Sequence, residues 1–138
     1  MTLSLFLPLF IQVCLTLALG FATGASRYLA IETGKVRPRD VALGEKAWPR
    51  KSQQLGNAFG NQFETPVLFY AAILATLALD VQSVVIAVLA WVWVISRLIH
   101  VGVHITSNHM LFRFIAFASG MVLLAVLWAV LGFEVMTR

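Results

Sequence analysis

Two groups of polar residues interrupt long apolar runs. Asn57, Asn61 and Glu64 are spaced i, i+4, i+7, and Arg97, His100 and His104 are spaced i, i+3, i+7. On a helix of 3.6 residues per turn each trio falls inside an arc of about 60°, so each is a stripe on one helix face. A carboxylate, a guanidinium, carboxamides and imidazoles brought together would make a polar ligand site, and imidazole also suits proton transfer near neutral pH. The plainer alternative is that Glu64 and Arg97 neutralise each other as structural glue, and a buried ion pair is weak evidence even for stability. With Asn108 close by, the two stripes are richer than glue requires, which favours the ligand site. His100 and His104 at i, i+4 also have a metal-ligand spacing, and Glu64 would complete a two-His-one-carboxylate set. Arg97 would repel a cation, and no cysteine or further carboxylate joins the cluster, so no metal is expected.

The elements that must hold these residues follow from composition. The 138 residues are 60% hydrophobic and 12% charged, with a mean hydropathy of +0.89. Soluble domains carry about 25% charged residues, so an ordinary soluble domain, a disordered chain and a coiled coil are all excluded. A spanning helix needs roughly 20 apolar residues. Four such stretches occur, near 3–26, 55–79, 82–105 and 112–133. No alternating ten-residue strand pattern appears, which argues against a β-barrel. The expectation is one all-α domain over 1–138, an integral membrane four-helix bundle. The first stretch lacks a positive n-region, so it is read as a retained helix and not as a signal peptide.

Charge sets the expected topology. Seven of the ten basic residues lie between Arg27 and Lys51, against three acidic ones, so that stretch carries +4 and the rest of the chain sums to zero. The 27–51 loop should therefore be cytoplasmic, with both termini and the turn at Asp80 on the other side. The basic pI reads as this topology signal plus contact with anionic lipid, and nucleic acid is not an expected partner. Glu64 is about nine residues in from the cytoplasmic end of the second stretch and Arg97 about eight from that end of the third. At 1.5 Å per residue both lie roughly 12 Å below one surface. Charge at that depth is expensive and usually marks a site or a paired network.

Smaller features concern packing. Gly20/Gly24 and Gly56/Gly60 are small-xxx-small pairs that let helices approach closely. Pro66 removes a helical bond to the Gln62 carbonyl and should kink the helix beside Glu64. Cys14, the single cysteine, is expected to be a small buried hydrophobe, and Gln12 to make an interhelical bond.

The four short stretches, the basic first loop and Asn61-Gln-Phe-Glu64-Thr-Pro66 early in the second helix resemble the MAPEG family, the membrane-associated proteins of eicosanoid and glutathione metabolism. Ser96-Arg97-Leu-Ile-His100, with Arg113 opening the fourth stretch, is the second likeness. The resemblance implies a homotrimer of four-helix bundles, with glutathione as co-substrate between neighbouring subunits near the cytoplasmic face and a lipophilic electrophile entering from the lipid. By that analogy Asn61 and Glu64 bind the peptide, and Arg113 stabilises the thiolate. Arg27, Arg50 or Lys51 reach its carboxylates from the loop, and Arg97 poises Glu64. Departures are visible too. Asn57 stands where family glutathione enzymes usually carry Arg, and His100 and His104 where they often have Tyr. The chain looks like a divergent bacterial-type member, which implies a bacterial inner membrane. The functional expectation is a glutathione-dependent transferase or peroxidase. The alternative is a non-catalytic membrane protein whose polar cluster is structural or binds a lipid headgroup.

Overall fold

The computed structural model describes residues 2–42 and 47–137, and Glu45 and Lys46 of the basic loop lie outside them. The described chain is helical, in the order α1 (Thr2–Glu32), α2 (Pro38–Val41), α3 (Arg50–Gly60), a 3-10 turn (Asn61–Phe63), α4 (Thr65–Ala78), α5 (Val84–Ile105) and α6 (Met110–Met136). Three helices, α1, α5 and α6, are long and apolar enough to cross a membrane. Lipid offers no partner to an exposed backbone, which is why continuous helices dominate here.

The second apolar stretch departs from the continuous span expected over 55–79. It is two helices, α3 and α4, separated by the 3-10 turn and by Glu64, whose backbone (φ −99°, ψ −105°) leaves the helical region. Pro66 lies in the first turn of α4, where a missing N–H is harmless, and it cannot donate to the Gln62 carbonyl. The scarcity of charge over 52–79, where Glu64 stands alone, makes the stretch look like one run, whereas Pro66 and the polar residues before it produce a full break instead of a kink. The helix also starts earlier, at Arg50. At the other end of the basic loop, α1 continues to Glu32 and carries Arg27, so Arg27, Arg50 and Lys51 all reside on helices.

α5 packs along α6 and against α1. α1 also lies against α3 and α4, and α4 against α6. The main apolar core holds Leu5, Phe69, Ile73, Ile86, Trp93, Leu124 and Leu127, with the Phe69 and Trp93 rings stacked at 4.1 Å. Hydrophobic burial does not drive association within lipid, so close van der Waals packing and interhelical hydrogen bonds carry it. Gln12 makes the expected interhelical bond, donating to the Gln62 side chain at 2.9 Å, and Gln62 donates back to the Ala58 carbonyl at 2.8 Å. Gly20 earns its place: a Cβ there would meet the Phe59 ring at 3.1 Å, whereas one at Gly24 or Gly60 would meet nothing within 4 Å. Cys14 proves exposed, because the face of α1 that it shares with the exposed Phe10 and Leu17 is not covered by another helix among the described residues.

A candidate polar site at the helix break

The break and the α5–α6 turn lie at the same end of the bundle because α3 supplies the end of α5 with donors. The last carbonyls of a helix lack partners of their own. Gln54 donates to the carbonyls of His104 (2.7 Å) and Thr106 (3.3 Å), and Lys51 donates to that of Ile105. Ser26 on α1 and Ser52 on α3 are joined at 2.6 Å. Asp80 and Gln82 border a small pocket with Thr2, so the α4–α5 turn lies beside the start of α1, away from this end.

Between these elements is a cavity of about 740 Å³. Its polar lining is Arg27, Asn57, Asn61, Glu64, His100, His104 and Arg113, and its apolar lining includes Phe59, Phe63, Met110, Phe114 and Phe117. All residues of the two polar stripes except Arg97 therefore meet in one space, together with Arg27 from α1 and Arg113 from α6. Arg50 is exposed at the start of α3 and does not line it.

Arg97 is placed differently from a partner for Glu64. Its side chain is 1% exposed and lies behind the cavity wall. It donates to the Asn61 carbonyl at 3.3 Å, and its guanidinium sits 5.8 Å from the centre of the Trp93 ring. Among the described residues no ion pair joins Arg97 to Glu64. Glu64 instead is exposed and lines the cavity, at the point where the backbone leaves the helical region. Depth along the helix axes was readable from the sequence, but direction around them was not.

Arg113 is the most connected residue of the site. Its guanidinium donates to the Asn108 side chain at 2.7 Å and meets His104 Nε2 at 3.4 Å, while its carbonyl meets His100 Nδ1 at 3.2 Å. Asn108 has a left-handed backbone (φ +51°), a conformation that Asn tolerates better than most residues. Arg27 lies over the Trp48 ring at 5.2 Å, which ties the loop after α2 to the cavity mouth. His100 and His104 are each 2% exposed, and each keeps one ring nitrogen without a partner.

The MAPEG family model matches residues 5–133, nearly the whole chain, and so takes in every residue of this site. The chain belongs to the MAPEG family. No curated protein and no solved structure matches it. In this MAPEG chain the site draws on α1, α3, the 3-10 turn, α5 and α6, so it depends on several helices rather than on one motif. Sequence reasoning missed Gln54, which holds the α5 end in place, and Phe59, Phe63, Phe114 and Phe117. No spacing marks any of these in a chain this rich in apolar residues. Trp48, in contrast, sits among basic residues, and a ring within reach of several guanidinium groups is a readable signal. No cluster of three His, Cys, Asp or Glu residues suited to a metal occurs among the described residues.

Proposed function

We propose that this MAPEG-family chain is a glutathione-dependent membrane enzyme that joins glutathione through its sulfur to a lipophilic substrate, or uses two glutathiones, oxidised to their disulfide, to reduce a lipophilic peroxide to an alcohol and water. The observation that carries this reading is the mixed lining of the cavity, which brings charged and amide groups together with aromatic rings in one space. Glutathione presents two carboxylates, an ammonium, two peptide groups and a thiol. Glu64 pairs with the ammonium, Asn57 and Asn61 bond the peptide groups, and Arg27 takes a carboxylate through charge-assisted bonds. Arg113 favours thiolate over thiol, and thiolate is the nucleophile. In transfer the sulfur forms a bond to an electrophilic carbon, whose leaving group departs with its electron pair. Arg97 acts through Asn61, whose carbonyl it holds.

The same reading has the chain work as a homotrimer, with glutathione between subunits. Glu64 is exposed on the single chain, as are Phe63 at 61%, Met110 at 78% and Phe114 at 64%. A carboxylate facing lipid at this depth would cost several kcal/mol, and a neighbouring subunit that covers the cavity removes that cost. The 27–51 segment then faces the cytoplasm of a bacterial inner membrane, since basic short loops stay on that side. Arg27, Lys35, Arg37, Arg39, Arg50 and Lys51 all flank the end where the site opens.

Calorimetric titration of glutathione into the purified protein, at several pH values and in buffers of different ionisation enthalpy, tests this. Saturable binding that releases a proton supports thiolate formation, and absence of binding at millimolar glutathione overturns the reading. One observation favours a second reading, a non-catalytic network or lipid-headgroup site. Arg97 and Arg113 are already hydrogen-bonded within the chain, and Asn57 supplies no charge. In that case Glu64→Gln changes stability alone.

A further inference from the structure

The carbonyls at the end of α5 can be followed one by one. Gly102 accepts from the Thr106 N–H at 3.2 Å and from its hydroxyl at 2.6 Å, and Val103 accepts from the Asn108 N–H at 2.8 Å. The next three accept from side chains of α3: His104 and Thr106 from Gln54, and Ile105 from Lys51. Helix-end carbonyls can be left to water, but water satisfies a carbonyl without fixing where it lies. A side chain on a neighbouring helix does fix it, and Gln54, only 9% exposed, places its amide on two of these carbonyls.

The segment held in this way is the one that holds Arg113. Arg113 Nη1 donates to the Asn108 side chain at 2.7 Å and lies 3.4 Å from His104 Nε2. Asn108 is set in turn by its N–H on the Val103 carbonyl. His104 carries both ends of the link, since its carbonyl takes the Gln54 bond and its ring meets Arg113. Arg113 lines the cavity and Gln54 does not, so the uncharged Gln54 acts on a ligand only through the α5 end. Lys51, Gln54 and Asn57 follow one another at i, i+3, i+6 on α3, within an arc of about 120°. The helix that brings Asn57 to the cavity thus also brings the donors that set Arg113.

We propose that Gln54 and Lys51 are positioning residues for Arg113, holding the α5 end so that the guanidinium and the Asn57 amide keep one spacing in the cavity. The consequence for a thiolate rests on the glutathione reading above, whereas the positioning itself is measured without any ligand.

The test uses the full chain in lipid nanodiscs with nitrogen-15 arginine, the Arg113 signals being assigned from Arg113→Lys. Both side-chain bonds are made by Nη1, so a held guanidinium shows separate Nη1 and Nη2 resonances. A released one rotates quickly about its Cζ–Nε bond and shows their average. Ligand-free wild type should show the separate pair. Gln54→Met, of similar length and without donors, should merge them, and Gln54→Lys, which restores donors, should separate them again. Lys51→Met, at an exposed position, should narrow the separation. With glutathione added at fixed pH, the ultraviolet absorbance of bound thiolate should fall about tenfold or more in Gln54→Met, since misplacing a reacting group is costly, and should recover in Gln54→Lys. Gln12→Leu, which removes a buried bond elsewhere, should lower the unfolding midpoint and leave the Arg113 signals unchanged. Unchanged separation in Gln54→Met would overturn the proposal, as would merged signals in wild type or in Gln12→Leu. If Gln54→Met does not fold, unchanged separation in Lys51→Met overturns it instead. A wild type that binds no glutathione overturns the glutathione reading and not this one, which the ligand-free signals decide.

Discussion

Asn108 is the residue on which the geometry of Arg113 turns, and three substitutions separate its two roles. Its side chain accepts from the Arg113 guanidinium at 2.7 Å, and its backbone sits at φ +51°. Asn108→Gly removes the acceptor and relieves the backbone, Asn108→Ala removes the acceptor and keeps the strain, and Asn108→Asp keeps both acceptor and turn. A hydrogen bond to a charged group contributes about 1.5–3 kcal/mol. Arg113 is half-buried and also meets His104, so the lower part of that range, about 1.5 kcal/mol, is expected for the Gly variant. Left-handed backbone adds about 1–2 kcal/mol for Ala. The expected order of stability is therefore wild type close to Asp, then Gly, then Ala. Tryptophan fluorescence during thermal unfolding in detergent reads the order, and glutathione titration of the same samples reads the site. An Arg113 guanidinium released from Asn108 should weaken binding by about tenfold, the equivalent of about 1.4 kcal/mol. A Gly variant as stable as wild type, with unaltered binding, would refute the reasoning and leave Asn108 as a turn residue only.

Asn57→Arg should strengthen glutathione binding by about tenfold, because a charge-assisted bond to a carboxylate replaces a neutral one at an exposed position of the cavity wall; unchanged binding by calorimetry would place the carboxylate elsewhere. Gln12→Leu and Gln62→Leu should each destabilise the chain, with a coupling of about 0.6 kcal/mol in the double-mutant cycle, the average size for a hydrogen bond within a membrane. Strict additivity would mean that the 2.9 Å bond contributes nothing. Gly20→Val should cost about 1–3 kcal/mol by driving a side chain into the Phe59 ring, and Gly24→Val should stay within about 0.5 kcal/mol, both read from unfolding midpoints.

Periodicity revealed the two polar stripes because helical spacing is a property of sequence alone. Asn57, Asn61, Glu64, His100 and His104 do reach one cavity. The break between α3 and α4 was less legible, since the near absence of charge over 52–79 makes both helices look like one spanning stretch. The pairing of Glu64 with Arg97 was inferred from matched depth, and depth follows from rise per residue. Direction depends on the backbone at Glu64, which no spacing encodes. Gln54 and Lys51 were hidden for another reason: their partners are carbonyls of the α5 end, and a backbone carbonyl has no signature in sequence.

Arg97 and the break explain each other. Irregular backbone is tolerated at membrane depth only where protein buries it or a polar cavity receives it. Residues 61–64 meet both conditions, with the cavity on one side and Arg97 on the other. A guanidinium held at the Asn61 carbonyl and against the Trp93 ring satisfies backbone that the helix no longer satisfies in full, and it does so without neutralising Glu64. The carboxylate is thereby left available at the cavity edge. An Arg97–Glu64 ion pair would have closed the site on itself. Holding the positive charge at the backbone gives the Asn61 carbonyl a partner at the break and leaves the negative charge exposed at the cavity edge.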